Sequence, residues 1–118
     1  MKRNIISADD AGSLLTKLLE ERIRVHALFI SASGSRATLD GFVGSIDEEL
    51  GVTISERPPS SGAGYFSVPI FNRPFESAYG DKRELPEASR ESLAKDFGES
   101  MLAFWFEDGE FFVLTFTL

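Results

Sequence analysis

The side chains in this sequence that could carry chemistry are few and scattered. His26 is the only histidine, and there is no cysteine. A Ser-His-Asp machine would have to use His26, yet no Gly-x-Ser-x-Gly elbow accompanies it. A zinc site needs several His or Cys ligands, which one histidine cannot supply. His26 lies between Val25 and Ala27 in a β-rich run, the setting of a partly buried strand residue. The lack of cysteine also removes disulfides, thiolate catalysis and Cys-ligated metals.

Carboxylates gather twice, at Asp47-Glu48-Glu49 and at Glu107-Asp108-Gly109-Glu110. Paired carboxylates can hydrolyse glycosides or hold Ca²⁺. Neither cluster has EF-hand spacing, and both fall where turns are expected, so they read as solvated turn charges. Gly62-Ala63-Gly64 is followed by neither a helix nor Lys-Ser/Thr, so it is not a phosphate-binding loop. Arg22 and Arg24 stand at a helix–strand junction, where capping a helix end is role enough. No catalytic residue, metal ligand or cofactor motif emerges, and the expectation is a non-enzymatic domain.

The elements that would position these residues fit in one domain, 1–118, because 118 residues are too few for two cores. Eleven Phe against two Tyr and one Trp predict rings buried in a core or an interface, since Phe has no polar end to keep wet. Twelve Lys and Arg against 19 Asp and Glu give a net charge of −7. That balance argues against nucleic acid and against an anionic membrane, and it permits a basic protein partner. The N-terminus has no apolar signal core, and the longest apolar runs, 101–106 and 111–114, are far short of a membrane span. A cytoplasmic protein is expected.

Ser7 as N-cap, with apolar residues at Ala11, Leu14, Leu15, Leu18, Leu19 and Ile23, predicts an amphipathic helix over 8–24. Strands are predicted over 24–31, 37–47 and 50–55, with a turn at 33–36 and a loop at 56–64. Residues 65–71 read as an edge strand because Pro69 lacks an amide donor. The charged segment 72–84 reads as irregular, and Pro86 opens a short second helix to Phe97.

The strongest local signal is the end of the chain. Residues 101–106 and 111–118 flank Asp108-Gly109, which predicts a hairpin with a two-residue turn. That register puts Trp105 opposite Phe112, and Phe104 opposite Val113. Both faces are then apolar, unlike a pair with one wet face. Met101, Trp105, Phe112, Leu114 and Phe116 would form the core. Phe104, Phe106, Phe111, Val113 and Thr115 would form a candidate interface, to be covered by the first helix or by a second copy.

Leu14–Ser55 resembles the first half of the Sm-like fold, the family of the bacterial Sm-like RNA chaperone. Gly41-Phe42-Val43-Gly44-Ser45-Ile46-Asp47 matches the family's glycine, apolar and aspartate pattern. The resemblance implies a helix running into a strongly bent five-stranded barrel, with the terminal hairpin contacting neighbouring subunits. The two loops that would touch RNA read Glu48-Glu49-Leu50-Gly51 and Glu107-Asp108-Gly109-Glu110, acidic where RNA-binding members are not. The fold is implied without the RNA function.

The expectation is therefore an α+β domain. It has an N-terminal amphipathic helix packed on a strongly bent antiparallel sheet or small barrel, a second helix near 86–97, and a terminal hairpin at 101–118. The leading function is a binding or assembly domain, homo-oligomeric through the hairpin. An acidic partner for a basic protein, a carboxylate enzyme and Sm-like RNA binding follow as alternatives.

Overall fold

The structure, a computed structural model, describes residues 5–49, 51–56, 64–71, 73–81 and 99–117. Strand β1 (Ile5–Ile6) leads into helix α1 (Ala8–Glu20). The Ser7 hydroxyl accepts the Asp10 amide at 3.1 Å, satisfying one orphan donor of the first turn. Ala11, Leu15 and Leu18 are buried on one face of the helix, which lies against strands β3 and β6. The helix stops short of residue 24. Arg22 takes a left-handed backbone (φ 50°), and the Ile23 amide closes back on the Leu18 carbonyl at 3.1 Å, an ending usually made by glycine. Among the described residues no helix is long and apolar enough to cross a membrane.

Among the described residues seven further strands follow: β2 (Val25–Ile30), β3 (Arg36–Asp47), β4 (Gly51–Ser55), β5 (Tyr65–Val68), β6 (Phe75–Asp81), β7 (Ser100–Phe106) and β8 (Phe111–Phe116). They form one antiparallel sheet in the order β1-β6-β7-β8-β2-β3-β4-β5. Its two ends do not pair, so the sheet is open and the barrel form of the expectation gives way. The sheet is nevertheless strongly curled. Phe66 of β5 and Phe112 of β8 are four strand positions apart, roughly 19 Å if flat, yet their ring centroids are 6.4 Å apart.

The curl is built into β3. Its first half, Arg36–Gly41, pairs with β2, and its second half, Phe42–Asp47, pairs with β4 across a register shift between Val43 and Ser45. A bulge of this kind bends a strand and increases its twist. Gly51 then starts β4 with φ 86° and packs so closely that a Cβ would fall 2.0 Å from the Val68 carbonyl oxygen. Only glycine fits there.

β6 overturns the expectation of an irregular 72–84 segment. It pairs with β7 along seven residues, from Phe75↔Phe106 to Asp81↔Ser100. Its period-two signal is faint because Ser77 and Ala78 are small; Ser77 is nonetheless buried and donates to the Ile6 carbonyl at 3.2 Å. The second helix predicted near 86–97 lies outside the described residues.

The terminal hairpin forms in a different register from the one predicted. Trp105 pairs with Phe111, Phe104 with Phe112, and Ala103 with Val113. The Phe106 amide donates to the Glu110 carbonyl at 3.0 Å and the Gly109 amide to the Phe106 carbonyl at 3.1 Å. The loop is thus three residues, Glu107–Gly109, closed by Gly109 at φ 91°, the bulged loop that ends in a left-handed residue. One residue of slip re-sorts every side chain between the two faces.

On the concave face, Leu102, Phe104, Phe106, Phe112, Leu114 and Phe116 join Leu15, Leu18, Val52 and Ile54 in the main core. The rings interlock: Phe104 stacks on Phe112 at 5.9 Å and meets Phe75 edge-on at 5.4 Å. On the convex face, Met101, Ala103, Phe111 and Val113 pack with Leu28, Ile30 and Trp105 in a second, smaller cluster. Both layers are buried within a single chain.

Candidate functional site

The β2–β3 hairpin is the element that places the histidine. Its turn repeats the geometry of the terminal one: the Ser31 amide bonds the Ser35 carbonyl at 2.8 Å, the Gly34 amide bonds the Ser31 carbonyl at 2.9 Å, and Gly34 has φ 94°. This loop fixes His26 opposite Asp40. Both side chains rise from the convex face, and His26 Nδ1 contacts the Asp40 carboxylate. The histidine is 8% exposed, whereas Asp40 stands at the rim.

With Thr38, Leu39 and Glu56, this pair lines an open depression of about 420 Å³. Glu56 is brought in by the end of β4, where a Cβ on Gly41 would lie 2.8 Å from the Glu56 Cα. A carboxylate that holds an imidazole fixes its ring orientation and tautomer. Among the described residues the lining has two carboxylates and no Lys or Arg, so it suits a cationic or donor-rich group. Among the described residues no three His, Asp or Glu side chains are grouped to hold a metal ion.

Sequence reasoning placed His26 on a strand but missed its partner. The signal was partial: a three-residue loop over 32–34, centred on Ser33, pairs residues 26 and 40 by counting outward, whereas a two-residue Ser33-Gly34 turn would pair 26 with 41. Asp40 was passed over because it belongs to neither run of carboxylates.

The two carboxylate runs lie at turns, with Asp47, Glu48, Glu49, Glu107 and Asp108 exposed and Glu110 half-buried. Asp47 Oδ1 accepts the Glu49 amide at 2.8 Å, and Asp108 Oδ1 accepts the Glu110 amide at 3.0 Å, the local bonds that make Asp a turn residue. Arg73, just before β6, reaches across to the second run. Its guanidinium donates to Glu110 Oε1 at 2.6 Å, lies 3.6 Å from Asp108 Oδ1, and covers the Phe106 ring at 3.6 Å from the centroid. These contacts clasp the hairpin tip and engage two of its three carboxylates.

The five residues of the candidate interface do not share a surface. Phe104 and Phe106 face the concave core, while Phe111 and Val113 belong to the convex cluster. Thr115 lies opposite His26 on β2 and Met101 on β7, and its Oγ1 is buried without a hydrogen-bond partner. All five are buried in the lone chain. Among the described residues, the large apolar side chains that are exposed stand at the sheet's two ends, Ile5 on β1 at 53% and Tyr65 on β5 at 71%. Comparison with protein-family models, with curated proteins and with solved structures finds no match to this chain.

Proposed function

We propose that this chain is a non-catalytic binding domain whose partner is a basic protein. The observation that carries this reading is the burial of both hairpin faces within one chain, with Phe104 on one side and Val113 on the other each at 0%. A second copy has no bare stripe there to cover, and self-association through residues 101–118 loses its motive. What the sequence adds is charge, 19 carboxylates against 12 basic side chains. Like charge opposes the pairing of two copies and steers a basic surface inward.

The other expectations find less support. An enzyme built on the turn carboxylates would have to work with Asp108 and Glu110 already engaged by Arg73. For an Sm-like RNA binder, the two loops that would meet RNA are acidic, and phosphate recognition depends on Lys and Arg.

Photo-cross-linking in cells tests the proposal, with a reactive residue placed in turn at the exposed positions Glu20, Ala37, Glu48, Tyr65 and Glu107. The expected result is a discrete adduct with one basic protein, from a complex that dissociates as salt is raised. Adducts only with a second copy of the chain, or none at any position, overturn it.

A further inference from the structure

β5 is an edge of the sheet. β4 is its neighbour on one side, and no strand among the described residues lies on the other. Natural edges are usually blunted by charge, bulges or proline, but Tyr65-Phe66-Ser67-Val68 carries no charge, and Pro69 comes only after its end. The strand alternates cleanly. Phe66 and Val68 turn toward the concave core, while Tyr65 and Ser67 are exposed on the other face. An added strand with the same alternation would extend the concave core and keep its other face in water.

Both ends of this edge are acidic. At the Tyr65 end, the Glu56 amide donates to the Gly64 carbonyl at 3.1 Å, and Glu56 Oε1 lies 3.4 Å from where a Cβ on Gly64 would be. At the Val68 end, Gly51 presses on Val68 and Pro69, which brings the β3–β4 turn alongside, with Glu48 and Glu49 exposed. None of the described residues between 41 and 71 is Lys or Arg. The opposite edge, β1, is only two residues long and follows Lys2 and Arg3 in the sequence.

We infer that β5 takes up an extended segment of the partner by strand addition, a segment apolar at alternate positions in its middle and carrying Lys or Arg at both ends. This rests on the binding reading above and gives it a place and a partner chemistry. Main-chain hydrogen bonds to β5 supply affinity, and the flanking carboxylates select the sign of charge.

The test uses the full chain and three short synthetic peptides. One alternates Val and Thr between terminal lysines, the second has glutamates in place of the lysines, and the third has a central proline in the lysine form. Fluorescence anisotropy should show saturable binding of the first alone, weakening with salt, and the amide shifts by NMR should centre on Tyr65–Val68. Combined Glu48→Gln, Glu49→Gln and Glu56→Gln should weaken it about tenfold, at the exposed-pair scale for each charge. Arg57→Gln, which removes the basic residue beside Glu56 in sequence, should strengthen it.

Equal binding of the proline peptide, indifference to the glutamate changes, or shifts centred away from β5 would each overturn the inference. So would failure of the lysine peptide to bind while the β5 amides are already slow to exchange in the free chain, since the chain itself would then occupy the edge. If cross-linking to a basic partner persists while the lysine peptide fails, the edge assignment falls and the binding reading stands.

Discussion

Thr115 holds a hydroxyl in a place where it gains nothing. It is 0% exposed, and its Oγ1 has no hydrogen-bond partner, beside the buried layer of Leu28, Met101 and Val113. An unsatisfied buried polar group costs about 1–3 kcal/mol, and valine has nearly the same shape without that cost. Thr115→Val should therefore raise stability by about 1 kcal/mol. The measurement is urea unfolding, read as a higher midpoint at an unchanged slope. A drop in the midpoint would mean that the hydroxyl is bonded in solution. His26 illustrates a different limit at this scale. Its burial follows from the strand around it, but its pairing with Asp40 depends on which loop joins β2 to β3, and no single residue states that.

Loop type decided how far the elements could be read from the sequence. Asp108-Gly109 reads as a two-residue turn, whereas glycine at the third loop position closes a bulged three-residue loop, as it does again at Gly34. The two readings differ by one residue, which was enough to divide the supposed interface between two faces. Strand β6 escaped notice for another reason. Its core-facing Phe75 and Tyr79 are separated by Ser77, whose burial follows from the hydrogen bond to Ile6 and not from hydrophobicity. The clasp by Arg73 was equally out of reach, because it joins residues 37 positions apart. Arg73 is mostly buried, with a charged bond and a ring beneath it. Arg73→Met, which keeps the stem and removes the guanidinium, should cost about 1–2 kcal/mol. Circular dichroism during urea unfolding would measure it. Double substitution with Glu110→Gln should cost less than the sum of the two single changes, and strict additivity would show that the pair carries no coupling.

At the scale of the whole molecule, the curled sheet buries within one chain the hairpin that had seemed to need a second copy. The expected second subunit was a response to a hairpin that is apolar on both faces, and the chain meets that need by placing the hairpin mid-sheet. β6 and β2 pair along its two sides, and a buried layer lies on each face. A stable interface needs roughly 1,200 Å² of surface, and the buried apolar side chains of the hairpin strands offer little of it. The chain should therefore run at 13.0 kDa in light scattering across a wide concentration series. Salt makes the prediction sharper, because raising it to about 1 M shortens the screening length to roughly 3 Å and removes the mutual repulsion of a −7 chain. If the mass stays at one chain there, lack of a sticky surface is what keeps the protein single. If the mass doubles, charge was holding two copies apart, and the first places to test are the ends of the sheet, where Ile5 and Tyr65 are exposed among the described residues. Tyr65→Lys would then restore the single chain if β5 is that contact, and would leave the doubled mass unchanged if β1 is.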